Sequence, residues 1–441
     1  MYYRYGQGET NNQETNSLSK KPHILPRDRH PISRKHIGIS ALKVLNRLKE
    51  GGYDSLLVGG CVRDLMLGIT PKDFDVTTNA SPEQVRSLFR NARLIGRRFR
   101  LAHIRFGREV IEVATYRKPP DDDVATSDSG RLLRDNVFGT QQQDAMRRDF
   151  TVNALYYDIC DFSVIDYAGG VKDLERRVIR VIGKAEQRYR EDPVRMLRAV
   201  RFASKLDFSI APGTAKPIYL LGGLLNDIPP ARMFEEVLKL FHSGYAERTL
   251  EMLREYGLFA QLFPQVERYL GSLEDMEHSV LPHALRSTDA RIREDKPVTP
   301  AFLFAAMLWG ELQKHITRLM HNGLPHQQAL YLASAEVISE QCRRMVIPRR
   351  FSTPMKDIWA MQARFERRRG KQALRLLQHK RFRAAYDFLL LRVLAGEAEQ
   401  SLADWWTEFQ EVSKSRQEAM ISALSNRAKG KRRKGKGDNN Q

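Results

Sequence analysis

Two aspartates two positions apart are the residues of this sequence best suited to metal chemistry. Asp73 and Asp75 flank Phe74, and Val76 follows. Alternate side chains of a β-strand share a face, so we expect both carboxylates to project together while Phe74 and Val76 point into a core. Carboxylate oxygens suit Mg²⁺, which also takes substrate phosphates as ligands. The pair predicts a site for two Mg²⁺ ions, or Mn²⁺ in their place, acting on a phosphorylated substrate.

A glycine turn precedes this pair. The apolar run Leu56–Val58 leads into Gly59 and Gly60, and a helical stretch follows that Gly68 can end. Backbone N–H groups at such a helix start can bind phosphate. Taken singly, a Gly-Gly pair or an Asp-x-Asp pair is more often a plain turn or a solvated strand edge. Their succession in one strand-turn-helix-strand unit favours a nucleotidyl-transfer site.

Composition favours a polyanionic partner. The 441 residues carry a formal net charge of +20, and 42% hydrophobic content can bury several cores. Such a charge attracts nucleic acid through its phosphates. The longest apolar stretch, 301–309, is about half the roughly 20 residues of a membrane-spanning helix, and no signal peptide is recognisable. We therefore expect a soluble, cytoplasmic, monomeric protein without a transmembrane segment.

The three cysteines give no metal or disulfide pattern. Cys61, Cys160 and Cys342 are widely separated in the sequence. That spacing fits neither a disulfide framework nor a zinc site. We expect all three to be reduced and to lie in or near a core.

Hydrophobic periodicity divides the chain into five regions. We predict a disordered basic arm over 1–36, an α/β head over 37–168, a helical neck over 169–245, a helical RNA-binding body and C-terminal region over 246–425 and a disordered basic tail over 426–441. Further strands are expected at 102–106, 109–115 and 164–167, and a mobile loop at 118–131. Helices are expected at 188–205, 231–243, 301–314, 328–344 and 381–394.

Four motifs together resemble those of a known family. They are Gly-Gly-Cys-Val-Arg-Asp at 59–64, Asp-Phe-Asp at 73–75, Arg-Arg-Asp-Phe-Thr-Val-Asn-Ala at 147–154 and Glu-Asp-Pro-Val-Arg-Met-Leu-Arg at 191–198. The sequence resembles the class II nucleotidyltransferases of the polymerase-beta superfamily, which comprise bacterial poly(A) polymerases and CCA-adding tRNA nucleotidyltransferases. Segments 94–104, 226–232 and 382–387 look like the poly(A) polymerase branch.

The resemblance implies a fold and an activity. The fold is α+β, with a polymerase-beta-like head followed by all-helical neck, body and tail domains. The activity is template-independent addition of AMP from ATP to single-stranded RNA 3′ ends, with release of pyrophosphate and promotion of RNA decay, which suggests RNA-decay proteins as partners. Two alternatives stay open: CCA addition to tRNA, and RNA binding without catalysis.

The resemblance also assigns roles to residues of the head. Asp73 and Asp75 hold the metal ions, and Gly59, Gly60 and Arg63 position the triphosphate. Asp64 either accepts from the ribose hydroxyl or pairs with Arg63. The remaining assignments place Arg147 and Arg148 near the triphosphate or the RNA backbone, and Asn153 as a partner for sugar or base.

Two further carboxylates have structural alternatives. Strand alternation exposes Glu112, which is either a third catalytic carboxylate beside Asp75 or an ordinary solvent-facing glutamate. Asp149 precedes a helix-like run, 150–157, and can act simply as its N-cap. The resemblance favours a catalytic role, since Asp149 falls on an acidic position of the family's third active-site motif.

A fourth motif can read the nucleobase. Asp192 and Pro193 form an N-cap and N1 pair, which a helix can need for its own start. In the family this motif looks like the base reader, and an Asp acceptor with the Arg195 donor matches the edge that adenine and cytosine share. Arg195, Arg198 and Arg201 lie within one third of the helix circumference and favour an anionic partner.

Two basic runs complete the candidates. Arg97, Arg98 and Arg100 surround Phe99 and either hold triphosphate or RNA, or form a basic strand edge. The stretch 427–436 includes Arg432 and Arg433 and has no apolar residue to bury beyond one alanine. It is either a solvated tail or an RNA contact.

Overall fold

The chain forms two compact units. The structure is a computed structural model that describes residues 21–96, 100–118 and 137–424. The first unit comprises the described residues up to Arg195 together with Asp207–Pro217, and the second comprises Met196–Leu206 and the described residues from Ile218 onward. The first unit contains the sheet and the described part of the second is helical. This arrangement confirms the predicted α+β class.

The first unit is built on a mixed sheet. The described strands are β1 (His23–Leu25), β2 (Leu56–Val58), β3 (Asp75–Thr78), β4 (Ala92–Ile95), β5 (Leu101–Phe106), β6 (Glu109–Thr115), β7 (Leu155–Asp158), β8 (Val164–Asp166), β9 (Val178–Ile179) and β10 (Ser209–Ile210). Eight of them pair in the order β1-β8-β7-β2-β3-β6-β5-β4. Strands β3 and β6 are parallel, whereas β2 is antiparallel to both β3 and β7. Strands β9 and β10 form a small parallel pair inside the region expected to be a purely helical neck.

The predicted strands of the head are present. Strands β2 and β6 have the expected bounds, and the other two predicted strands differ from β5 and β8 by one residue at one end. All three residues of β2 are buried, which explains why its sequence is a continuous apolar run and not an alternating one. A core cluster including Val58, Tyr116 and Tyr156 packs against this centre of the sheet.

The predicted disordered arm is partly wrong. Residues 1–20 lie outside the described residues, but β1 pairs antiparallel with β8 from His23↔Asp166 to Leu25↔Val164. Leu25 and Ile32 are buried, and His30 Nε2 lies 2.8 Å from the Phe162 carbonyl oxygen. These few apolar side chains, which show no period in the sequence, are enough to attach residues 21–36 to the sheet edge.

The prediction of a helix-like run over 150–157 is also wrong. Thr151–Asn153 is a single 3₁₀ turn, and the chain then enters β7, which pairs with β2 and β8. Leu155, Tyr156 and Tyr157 suit a strand buried on both faces, and the sheet therefore decides the conformation of this short apolar run.

The described helices of the head are short. They are α1 (Ile39–Glu50), α2 (Gly60–Met66), α3 (Pro82–Leu88), α4 (Gln141–Arg147), α5 (Gly170–Glu175) and α6 (Ala185–Glu191). Capping boxes begin α3, at Ser81 and Gln84, and α4, at Thr140 and Gln143.

Longer helices dominate the rest of the chain. They are α7 (Val194–Leu206), α8 (Pro212–Leu221), α9 (Pro230–Phe241), α10 (Ala246–Glu255), α11 (Leu258–Leu262), α12 (Pro264–Leu270), α13 (Val280–Arg293), α14 (Pro300–Met307), α15 (Trp309–His321), α16 (His326–Cys342), α17 (Arg349–Phe365), α18 (Lys371–Leu377), α19 (Phe382–Leu394) and α20 (Gln400–Glu411). No helix of the described ranges is both long and apolar enough to span a bilayer.

Two predicted helices are each two helices. The stretch 188–205 breaks between α6 and α7, where Asp192 is extended before Pro193, because a residue that precedes proline disfavours the helical conformation. The stretch 301–314 is divided at Leu308 between α14 and α15. Helices α9, α16 and α19 match their predictions to within two residues at each end.

Aromatic side chains fill the core of the second unit. Trp406 packs edge-on against Phe365 with ring centroids 5.2 Å apart, and its N–H donates to the Phe365 carbonyl oxygen at 3.0 Å. A Cβ at Gly310 would lie 2.1 Å from a ring carbon of Tyr269, so α12 and α15 pack through this glycine.

Candidate active site

A glycine turn lies at the start of the site. Gly59 joins β2 to α2 with φ of 80°, a left-handed conformation that favours glycine. A Cβ at this position would also lie 3.3 Å from Arg148 Nη1. Gly68 follows the C-cap Leu67 with φ of 71°, and Ile69 N–H donates to the Asp64 carbonyl oxygen at 2.8 Å. Gly68 therefore ends this helix as the sequence indicates.

The two strands beside the turn bring two carboxylates together. Asp75 is the first residue of β3, and its register partner on the parallel strand β6 is Glu112. The Glu112 carboxylate lies 3.2 Å from His103 Nε2 on β5. Glu112 is thus on a strand neighbouring Asp75, the placement its catalytic interpretation requires.

Asp75 lies in a crowded negative environment although its side chain reaches solvent. Desolvation by the surrounding protein, together with the charges of Glu112 and Asp73, raises the pKa of the Asp75 carboxyl to about 6 against the opposing effect of Arg148. Asp73 is exposed in the bend before β3, so the expectation that the strand carries both aspartates is correct only for Asp75.

The carboxylates fit a divalent ion that brings other ligands with it. In the part of the chain that the structure describes, no group of three or more His, Cys, Asp and Glu side chains is arranged to hold a metal ion. Mg²⁺ usually takes one or two protein carboxylates and completes its shell with water and substrate phosphates. The repulsion that raises the Asp75 pKa is what a bound cation relieves, and Asp73 and Asp75 therefore suit such an ion.

A buried network supports the turn. Arg63, only 3% exposed, donates to Asp64 Oδ1 from Nε at 2.8 Å and to Asn153 Oδ1 from Nη1 at 2.6 Å. Asn153 Nδ2 donates to Asp149 Oδ1 at 3.2 Å, and the same oxygen accepts the Phe150 N–H at 2.9 Å. Of the two roles considered for Asp64, the structure shows the pairing with Arg63. Asp149 is held by this network and caps no α-helix.

Sequence reasoning missed a second network. Arg148 Nη2 lies 3.0 Å from Asp144 Oδ2, and the same carboxylate oxygen accepts from the Tyr156 hydroxyl at 2.8 Å. Burial lowers the pKa of Arg148, but Tyr156 and Asp144 more than offset that effect and raise it overall. The i,i+4 spacing of Asp144 and Arg148, after the Thr140 capping box, is the sequence pattern that could have predicted this ion pair.

The base-reading motif is attached to the third motif by an arginine that the sequence did not single out. Arg188 Nη2 donates to the carbonyl oxygens of Arg147 at 2.5 Å and Arg148 at 2.8 Å. Its Nη1 lies 2.7 Å from Glu191 Oε2, an oxygen that also accepts from Arg195 Nη1 at 2.8 Å. Burial and the nearby Arg195 charge lower the pKa of Arg188 to about 10.

Asp192 has the local role that its N-cap interpretation requires. Its Oδ1 accepts the Val194 N–H at 3.4 Å, and its carbonyl oxygen accepts the Arg195 N–H at 3.0 Å. In the second unit, the guanidinium carbons of Arg198 and Arg201 lie 5.4 and 5.0 Å from the ring centre of Phe202.

The other predicted residues lie elsewhere or outside the described ranges. Arg100 forms an exposed ion pair with Glu83 at 2.6 Å. Cys61 is buried, Cys342 is half-buried, and Cys160 is exposed, which corrects the expectation of a near-core position for that residue. Outside the described residues lie Arg97, Arg98, Arg432, Arg433 and the loop positions 119–131.

The same organisation is found in characterised proteins. Family models match the chain as "Poly A polymerase head domain" over 55–180, "Probable RNA and SrmB-binding site of polymerase A" over 207–270 and "Polymerase A arginine-rich C-terminus" over 322–439. The chain is 52% identical to poly(A) polymerase I of Salmonella typhimurium, covering 96% of this chain and 93% of the relative. It is 53% identical to poly(A) polymerase I of Escherichia coli O6:H1, with coverages of 93% and 90%.

A solved structure shares the fold. The CCA-adding enzyme of Bacillus stearothermophilus in complex with CTP superposes with a TM-score of 0.56 at 28% identity, covering 87% of this chain and 82% of that one. A mixed sheet that carries carboxylates beside a glycine turn, followed by helices, defines a nucleotidyltransferase. The extent and identity of the sequence matches are decisive within that class. The chain belongs to the bacterial poly(A) polymerase I family.

Proposed function

We propose that this protein adds AMP units from ATP to the 3′ ends of single-stranded RNA, without a nucleic-acid template and with release of pyrophosphate. The observation that carries the proposal is the register of Asp75 with Glu112 on parallel strands next to the Gly59 turn. Membership in the poly(A) polymerase I family supports it independently.

Asp73 and Asp75 are the residues that hold the divalent ions, with Glu112 or Asp149 as the third carboxylate. Two Mg²⁺ ions, or Mn²⁺, held by these carboxylates would supply Lewis acidity toward the attacking 3′-hydroxyl and positive charge opposite the departing pyrophosphate. The protein itself places Asp73 and Asp75 at the start of β3, where the Glu112 partner on β6 keeps the local charge negative.

Backbone and arginines position the triphosphate. Gly59 and Gly60 allow phosphates to approach the main chain without a side chain in the way. Arg63 acts indirectly, because its guanidinium donates hydrogen bonds that fix Asp64 and Asn153. Arg147 is the last residue of α4, and its carbonyl oxygen is fixed by Arg188.

Asp192 and Arg195 select the base. An acceptor and a donor together match the exocyclic amine and ring nitrogen of adenine or cytosine and reject guanine and uracil. The Glu191 contact holds the Arg195 guanidinium in one orientation. Discrimination of adenine from cytosine then depends on the shape of the site.

The cellular role that we propose, promotion of RNA decay, is the one that the family resemblance implies. Arg198, Arg201 and the basic segments attract the RNA backbone, and adenylated 3′ ends in the cytoplasm serve RNA decay. RNA-decay proteins are the partners that this role requires, and the protein acts on RNA as a monomer.

The test supplies one nucleotide at a time. With a short oligo(A) primer, Mg²⁺ and ATP alone, the full-length protein extends the primer by many residues, whereas GTP and UTP give no extension. CCA addition is the second candidate, because the solved structure that shares this fold is a CCA-adding enzyme with CTP. Efficient CTP incorporation onto tRNA that lacks its 3′ end, without extension of oligo(A), would select that candidate.

A further inference from the structure

The second unit contains a large cavity that the catalytic motifs do not use. It has a volume of about 750 Å³ and is lined chiefly by α13, α14, α19 and the segments before α14 and α19. This volume is in the range of sites that bury a small organic ligand. The lining residues divide into an apolar group and a cationic group.

The apolar part of the wall offers a flat contact surface. Phe302 lines this part of the cavity, is half-buried, and packs edge-on against Phe388 with ring centroids 5.9 Å apart. Leucines complete this wall, and Leu394 is 64% exposed although it is a large hydrophobic residue. An exposed leucine beside an aromatic ring suits an apolar or aromatic ligand.

The polar part of the wall is strongly basic. Five cationic residues line the cavity, namely Arg286, Arg291, Lys380, Arg381 and Arg383, against the single carboxylate of Asp387. Glu247 and Glu277 balance Arg286, and Asp387 lies 2.9 Å from Arg383.

Three of these cations are not held in ion pairs. Within the described ranges, Arg291, Lys380 and Arg381 form no ion pair with a carboxylate. The guanidinium of Arg291 is already oriented, because its Nε and Nη2 donate to the Pro297 carbonyl oxygen at 3.2 and 2.9 Å. Cations outside ion pairs, next to an apolar wall, suit a ligand that carries both an anion and a flat apolar ring.

We propose that this cavity binds one nucleotide unit, with the base against Phe302 and the leucines and the phosphate on Arg291, Lys380 and Arg381. Inorganic phosphate would leave the apolar wall empty, and a purely apolar ligand would leave the cations unbalanced. The unit comes either from an RNA strand or from a free nucleotide, since both present the same base and phosphate. The site goes beyond the proposed adenylate transfer, whose motifs lie within residues 59–201.

Two variants test the site by different physical means. Ala290→Trp fills the cavity from an exposed position of α13, so it adds bulk without removing a charge or a buried contact. Lys380→Glu reverses an exposed charge of the lining. The matched control is Lys371→Glu, which makes the same charge change at an exposed position of the same unit outside the cavity lining.

The measurements use the full chain without ATP or metal ions. Fluorescence anisotropy follows a labelled ten-residue oligo(A), and isothermal titration follows AMP. Both cavity variants should bind at least one probe about fivefold or more weakly than Lys371→Glu does, since one stacked base contributes about 1–3 kcal/mol. A change for the oligonucleotide alone assigns the site to RNA, and a change for AMP assigns it to free nucleotide.

Equal binding by wild type, Ala290→Trp and Lys380→Glu overturns the proposal. It is also overturned if Lys371→Glu weakens binding as much as Lys380→Glu while Ala290→Trp has no effect, because net charge alone then explains the result. Neither measurement requires catalysis, so a failure of adenylate transfer would leave the outcome unchanged. Thermal melting of Lys380→Glu, which alters a surface side chain only, verifies that the fold is intact.

Discussion

Arg63 donates a 2.6 Å hydrogen bond to the side-chain oxygen of Asn153, ninety positions further along the chain. Both residues are buried, and Asn153 donates a further hydrogen bond to the Asp149 carboxylate. The glycine-turn motif and the third motif of the head are therefore fixed to each other by side chains, not only by the pairing of β2 with β7. Loss of this link should affect stability and transfer together.

Asn153→Ala tests the link. The change leaves the buried Arg63 Nη1 without its acceptor, and we expect the free energy of unfolding to fall by about 1–3 kcal/mol. Urea unfolding measures this loss, with Asn91→Ala as the control because exposed Asn91 also donates one hydrogen bond, to Arg105. Asn153→Asp restores an acceptor for Arg63 but cannot donate to Asp149, so it should recover stability more than transfer. Equal losses in the Asn153 and Asn91 alanine variants would contradict the role of the network.

Asp75→Asn should abolish adenylate transfer while leaving RNA affinity nearly unchanged. The amide keeps the side-chain shape but removes a charged ligand for the divalent ions, and Asp75 makes no large contribution to the basic RNA-binding surface. Primer extension and RNA binding are measured on the same preparation. Glu50→Gln, an exposed carboxylate of α1, is the matched change and should retain full activity. Measurable extension by the Asp75 variant would falsify the assignment.

Glu191→Gln should impair the use of ATP. Glu191 contacts both Arg188 and Arg195, and a charge-assisted hydrogen bond contributes about 1.5–3 kcal/mol. We expect kcat/KM for ATP to fall roughly tenfold or more, and the preference for ATP over the other nucleotides to narrow. The control is Glu186→Gln on the same helix, whose partner Arg190 is exposed. If the two variants give the same nucleotide preference, Glu191 does not position Arg195.

Cys61 should resist alkylation in the native protein. Burial and the Asp75 charge raise the pKa of its thiol to about 12, so almost none is thiolate at pH 8.5, whereas Cys160 is exposed. Iodoacetamide labelling followed by peptide mass spectrometry should find Cys160 modified well before Cys61. Labelling of Cys61 should become fast only after unfolding in urea. Rapid labelling of Cys61 in the native protein would show that the structure around this residue opens to solvent.

Deletion of residues 427–441 tests the basic tail. The segment 427–436 contains seven Lys and Arg residues. If they contact single-stranded RNA, the slope of log K against log salt concentration should decrease by at most about 5, at roughly 0.7 per phosphate. An unchanged slope in the truncated protein identifies the tail as a solvated segment.

Motif spacing predicted the site better than periodicity predicted its surroundings. Asp75, Gly59 and Glu112 could be placed because strand alternation and glycine turns are local rules. The prediction of a helix-like run over 150–157 was wrong because its apolar residues fit either a helix or a strand, and only pairing with β2 decides between them. Arg188 and Tyr156 were missed for the same reason: their partners are carbonyls and side chains that only the fold brings near.

The hydrogen bonds from Arg188 to the carbonyls of Arg147 and Arg148 have a consequence for fidelity. The Arg188 guanidinium joins the segment around Asp192, proposed to bind the base, to the segment around Arg147, proposed to lie near the phosphates. A shift of one segment would therefore be transmitted to the other. Under the proposed roles, a nucleotide whose base displaces the Asp192 region would also displace the segment next to the phosphates. A wrong nucleotide would then be selected against by slow turnover as well as by weak binding.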